Sequence, residues 1–157
     1  MHCGRFAKRP AEKRKEFVMN NRAADYGALT LRVALGVMYL AHAGLKIFTF
    51  SLAGTAAFFE AHGFPGWSVY PVVAAEVAGG VMLILGVLAP WVALALVPIL
   101  LAAATVHLPN GWVFSNEGGG WEYPIFLAVV SVVQWLIGSG AHALKPTLSS
   151  AGSRSPA

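Results

Sequence analysis

Five ionisable side chains stand where the neighbouring sequence is apolar enough for membrane interior. His42 and Lys46 lie in one apolar stretch, Glu76 in the next, and His107 and Glu122 at the borders of two more. Two imidazoles, an ammonium and two carboxylates together could hold a small oxyanion or a polar headgroup. Lys46 and His107 would donate hydrogen bonds to an oxygen gaining negative charge, and Glu76 or Glu122 would relay protons. Asn110 adds an amide beside His107. Arg32, Tyr39 and Gln134 are further polar groups in apolar surroundings.

Charge at membrane depth is costly, so each such residue needs an inward face, a partner or a route to the interface. Glu76 falls about 12 Å below the outer end of its stretch at 1.5 Å per residue, too deep for a short side chain to reach water. Lys46 and His42 approach from the outer half of the preceding stretch and are its expected partners. At about 100° per residue, Arg32, Gly36, Tyr39, Ala43 and Lys46 share one stripe, with Val33, Val37, Leu40 and Ile47 opposite it. Gly36, Gly79 and Gly80 would let helices approach closely. Gln134 is expected near the depth of Arg32, as its hydrogen-bond partner. Each group also has a purely structural reading. Arg32 and Lys46 could snorkel to the interfaces. Lys46 and Glu76 could form an ion pair that only locks two helices. Glu122 suits a helix N-terminus, and His107 an interface.

The composition dictates what must position these groups. Of 157 residues, 57% are apolar and 11% charged, against about 45–50% and about 25% in soluble domains. Both a soluble domain and a disordered chain are excluded. Membrane spans of about 20 residues are required. The pattern places them near 27–48, 68–88, 91–107 and 121–140. The expected fold is all-α, a four-helix transmembrane bundle. Ser51 should cap a short outward-facing surface helix ending at Gly63, between spans one and two. Pro71 and Pro124 fall in first turns, Ala89-Pro90 marks a tight break, Pro98 a kink, and Asn110-Gly111 a turn. Residues 1–26 read as a disordered basic cytoplasmic tail, with Met19 as an alternative start, and 143–157 as a second disordered tail. The basic start and Ala41-His42-Ala43 also fit a signal peptide.

Lys and Arg number seven in residues 1–26 and two in the last segment, with none in 49–67 or 108–120. Both termini should therefore be cytoplasmic. The net charge of +4 lies wholly in residues 1–18, which hold six Lys/Arg and two Asp/Glu, while 19–157 hold five of each. It is no sign of nucleic acid. The single cysteine, Cys3, excludes dithiol–disulfide chemistry within the chain. No C-x-x-C-H or HExxH occurs, and His42 and His107 alone define no haem or metal site.

One ordered pattern runs through these residues. It comprises Arg32, Leu35-Gly36 and His42-Ala43-Gly44-Leu45-Lys46. Glu76, Gly79-Gly80 and Leu85-Gly86 follow. It ends with His107, Asn110-Gly111-Trp112, Gly119-Gly120-Trp121-Glu122-Tyr123 and Gly138-Ser139-Gly140. The set resembles the DoxX family over roughly residues 28–142. The resemblance implies a four-helix protein of the bacterial cytoplasmic (inner) membrane, often described as an oxidoreductase component. Some relatives are subunits of quinone-reducing, thiosulfate-oxidising complexes, and others are partners in oxidant-defence assemblies. It thus implies a redox partner protein besides the lipid bilayer, and a quinone as candidate cofactor. No side chain here carries electrons, so a bound cofactor or partner would. Two departures stand out. The turn between spans two and three lacks the family's frequent basic residue, and the glycine motif continues as Ala141-His142-Ala143-Leu144-Lys145. The alternative is a non-catalytic scaffold or small transporter whose buried charges fix helix packing.

Overall fold

The computed structural model describes residues 10–145. Helix α1 spans Pro10–Gly44 and continues into a π-helical turn, Leu45–Thr49. Then come α2 (Leu52–Ala61), α3 (Val69–Leu85), α4 (Ala89–His107) and α5 (Glu122–Ile137). Single 3-10 turns, Gly66–Ser68 and Leu108–Asn110, precede α3 and follow α4. No strand occurs among the described residues. Three helical stretches are long and apolar enough to cross a membrane: Asn21–Thr49, Gly66–Leu85 and Ala89–Asn110. Helix α5 is apolar but has only 16 residues.

Helix α1 begins earlier than expected. The tail anticipated as unstructured over 1–26 is helical from Pro10 onward. Its Ala, Glu, Lys and Arg are good helix formers, and proline suits a first helical position. Residues 1–9 and 146–157 of the two anticipated tails lie outside the described residues.

Helix α1 packs on α3 and α5, and α4 packs on the same two. The core between them holds Leu35, Tyr39, Leu83, Ala93, Leu96, Leu100, Leu127 and Ala128. Helices α1 and α3 touch backbone to backbone. A Cβ at Gly36 would lie 2.6 Å from the Gly80 carbonyl oxygen, and one at Gly80 would lie 2.9 Å from that of Gly36. Leu40, expected on the lipid side, instead lies over Gly80. Gly79 faces Leu96 of α4.

The break between α3 and α4 falls before Ala89-Pro90, not at it. Gly86, at φ +70°, ends α3 with its N–H donating to the Leu83 carbonyl, and Leu88 is also left-handed. Ala89 and Pro90 already form the first turn of α4, where a missing N–H costs nothing.

One end of the molecule carries residues 49–67 and 108–120, and is called the loop end below. The opposite, tail end is organised by Arg32, which is 1% exposed. Its guanidinium donates to the carbonyls of Leu83 (2.9 Å), Ile84 (2.5 Å) and Ala141 (2.9 Å). It neither snorkels nor pairs with Gln134. The last-turn carbonyls of α3 lack the N–H four residues on that a continuing helix would supply, and a planar fork of donors binds two of them. Gln134 turns instead to the Gly138 carbonyl (2.6 Å). The segment after α5 is bound to α1 and α3. Ala141 N–H donates to Asp25 O (3.0 Å), Leu144 N–H to Leu85 O (3.1 Å) and Lys145 N–H to Gly86 O (3.2 Å).

At the loop end, the Ser51 hydroxyl caps α2 by accepting from Gly54 N–H (3.1 Å). Ser51→Ala is expected to lower stability by about 1 kcal/mol, read as a lower thermal unfolding midpoint in detergent.

Candidate functional site

Lys46 lies in the π-helical turn, where Phe50 N–H reaches back five residues to the Leu45 carbonyl (2.9 Å). Such turns insert one residue and redirect side chains, often at functional sites. Here the turn brings the Lys46 ammonium onto Glu76, two helical turns into α3. Lys46 Nζ donates to both carboxylate oxygens, at 2.7 and 2.9 Å. The side chains are 18% and 5% exposed respectively, so Lys46 does not snorkel away. Among residues 21–145 no other ion pair occurs. Buried Thr55 of α2 covers this turn, its hydroxyl shared between the Lys46 and Ser51 carbonyls (3.3 and 2.9 Å). Beneath α2 a small second core of Ala43, Val69 and Val73, joined by Ile47, Leu52 and Phe59, holds the turn in place.

His42, one turn before Lys46, is not a partner of Glu76. Its Nδ1 donates to the Met38 carbonyl (2.8 Å), because a carbonyl can only accept. The ring stacks on Tyr123 of α5, with centroids 5.5 Å apart and planes 20° apart. The Tyr123 hydroxyl is buried and has no hydrogen-bond partner. One helical turn deeper on α1, the Tyr39 hydroxyl lies 3.3 Å from Ser131 Oγ of α5.

His107, Asn110 and Glu122 serve a different purpose. His107 Nδ1 and Asn110 Nδ2 both donate to the Gly118 carbonyl (3.0 and 2.9 Å). Glu122 Oε1 accepts from Phe114 N–H (2.9 Å) at the start of α5. Trp112 meets Trp121 edge to face at 4.3 Å. These contacts order the loop between α4 and α5. The expected outer cluster therefore divides into an ion pair, an aromatic stack and a loop clasp. Glu122 also lines, with Trp112, Phe114, Tyr123, Phe126 and Val129, an open groove of about 460 Å³ on α5 and the loop before it. Among the described residues no three His, Cys, Asp or Glu converge to hold a metal ion.

Sequence reasoning assigned no role to Tyr123, Ser131 or Thr55. The signal for the first two was their periodicity: 123, 127, 131 and 134 share one face of α5.

Apolar spans, backbone-contact glycines and one buried ion pair define an all-helical, multi-pass membrane protein. The comparisons with known proteins agree. The DoxX family model matches residues 27–108, from the apolar part of α1 to the end of α4. A Bacillus subtilis (strain 168) protein named "Putative oxidoreductase CatD" is 32% identical over 127 residues, covering 80% of this chain and 90% of its own. The chain belongs to the DoxX family. No solved structure matches it. The matched region holds Arg32, His42, Lys46, Glu76 and His107, and stops before the groove residues of α5.

Proposed function

We propose that this protein is a redox component of the bacterial cytoplasmic membrane that binds a quinone-type headgroup at its loop end. In this reading α5 is the fourth span and both chain ends face the cytoplasm. Sixteen residues reach only about 24 Å, so the flanks of α5 complete the crossing. The distribution of Lys and Arg supports that orientation.

The observation that carries the reading is the unpartnered Tyr123 hydroxyl, on a residue that lines an aromatic groove and stacks on His42, one helical turn from Lys46. A pair that only locks helices needs no spare hydrogen-bonding capacity next to it. A quinone fits this donor set: its flat ring suits the aromatic walls, and its carbonyls need donors. Tyr123 and Lys46 would hold it, and His42 fixes the orientation of Tyr123 by stacking. A bound quinone would supply the electron-accepting carbonyls, with electrons arriving from a partner protein. Lys46 can give a proton to the site, and the Glu76 carboxylate bonded to it can take up the proton that replaces it. The name of the Bacillus subtilis relative supports redox chemistry of some kind.

Titrating purified protein with a short-chain ubiquinone tests this. A saturable absorbance difference spectrum is expected, and Tyr123→Phe should abolish it. Normal quinone binding by a folded Tyr123→Phe protein would overturn the proposal. The bidentate closure of the ion pair favours a second reading, a scaffold held together by its charges. That reading expects no quinone spectrum and a Glu76→Gln protein that fails to assemble.

A further inference from the structure

The buried polar side chains of the described residues are not scattered. They are Arg32, Thr55, Glu76, Ser131, Gln134 and Ser139. Thr55 belongs to the turn around Lys46. The rest, together with Tyr39 and Tyr123, form one column from the loop end to the tail end. On α1, Lys46, Tyr39 and Arg32 recur every seven residues, two helical turns, and so share a face. On α5, Tyr123, Ser131 and Gln134 share a face in the same way. The Tyr39–Ser131 contact joins the two faces at mid-height (3.3 Å). Glu76 of α3 joins the α1 face through the bonds that Lys46 Nζ donates to it (2.7 and 2.9 Å).

A second observation points to what fills the column. Four buried side-chain atoms lack a partner: Arg32 Nε, Tyr123 OH, Gln134 Oε1 and Ser139 Oγ. All four belong to it. Buried polar atoms are ordinarily satisfied, by protein or by ordered water. Tyr123 OH marks the loop end of the column and Arg32 Nε, Gln134 Oε1 and Ser139 Oγ its tail end, so water at either end would find polar partners, with the Tyr39–Ser131 pair between them. The occupant is neutral rather than anionic. Gln134 offers an acceptor, and the Arg32 charge already faces the last-turn carbonyls of α3.

We propose that this column is a proton path between Glu76 and the tail end of the bundle. A carboxylate, hydroxyls and water in a row pass protons by successive hops. Each hop forms one O–H bond and breaks another, and every group regains its proton count once the last proton leaves. Arg32, standing at the tail end, opposes the entry of metal cations. The path shares Glu76 with the quinone reading but does not rest on it. Ser131 lies outside the loop-end groove, so its substitution separates the two.

The test uses the full chain reconstituted in phosphatidylethanolamine/phosphatidylglycerol vesicles with a pH-sensitive dye inside. Valinomycin and potassium clamp the membrane potential, and the outside is acidified. Wild-type vesicles should acidify several-fold faster than protein-free ones. Ser131→Val, similar in shape but without a hydroxyl, should return the rate to the protein-free value, and Ser131→Thr should restore it. Far-UV dichroism and a monodisperse elution establish that each variant is folded. If Ser131→Val does not fold, Gln134→Met carries the same test. A wild-type rate equal to that of protein-free vesicles would overturn the proposal. So would wild-type flux through a folded Ser131→Val or Gln134→Met protein.

Discussion

Lys46→Met is expected to destabilise the protein by about 3–5 kcal/mol, the cost of leaving a buried charge without its partner. Methionine keeps the packing of the lysine stem, so the loss isolates the charge. The Glu76 side chain is 5% exposed, and among the described residues no other cation pairs with it. Glu76→Gln should cost much less. Lys46 keeps 18% exposure near the loop end, so its ammonium can shift toward the interface. The double variant Lys46→Met/Glu76→Gln should recover most of the loss, because replacing a whole buried pair with neutral groups is often close to neutral. Unfolding midpoints in detergent, followed by circular dichroism, check this order. A Lys46→Met midpoint equal to that of the wild type would remove the ion pair from any account of stability.

Gly36→Ala carries the second large effect, about 1–3 kcal/mol of overpacking. The new methyl would lie 2.6 Å from the Gly80 carbonyl oxygen and 2.7 Å from Ile84 Cγ1. That oxygen is part of the α3 backbone and cannot turn aside, so α1 must move off α3. Gly79→Ala meets a softer obstacle, Leu96 Cδ1 at 2.7 Å, the end of a side chain with other rotamers. Replacing glycine with alanine within a helix also gains about 1 kcal/mol. That gain should bring Gly79→Ala near neutral while leaving Gly36→Ala clearly destabilised. Equal midpoints for the two variants would mean that α1 and α3 do not pack backbone to backbone.

The residues that were easiest to place from sequence are those whose cost depends on depth. A carboxylate two turns inside an apolar helix needs a cation, and Lys46 was one of two candidates at that height. The choice between Lys46 and His42 was not legible, because the π-helical turn that swings Lys46 onto Glu76 has no signature in residue types. Arg32 was misassigned to Gln134 for a related reason. Its true acceptors are main-chain carbonyls, which every residue carries and no sequence displays. Helix periodicity located the polar face of α1, whereas that of α5 went unread, and with it the crossing of Tyr123 to His42. The groups around His107 and Glu122 looked like site chemistry because histidine, asparagine and glutamate also serve as loop staples. Ser51 was legible because capping is a local matter of a hydroxyl and an N–H three residues on. The early start of α1 was not, since a polar helix has no apolar stripe to reveal it.

The clasp at the tail end bears on the order in which the molecule can be assembled. Two of the three Arg32 acceptors belong to α3, so they are present once the first half of the chain is made. The third, at Ala141, is separated from Arg32 by 109 positions. The N–H groups of Leu144 and Lys145, which bond the end of α3, come later still. During synthesis the first helix pair can therefore form early from near neighbours, while its seal waits for nearly the last residues described. Contacts of such long sequence separation are paid for in loop-closure entropy before they form. Until then a guanidinium with one acceptor missing stays exposed at the membrane surface, within reach of lipid phosphates or of any insertion factor that offers a carbonyl.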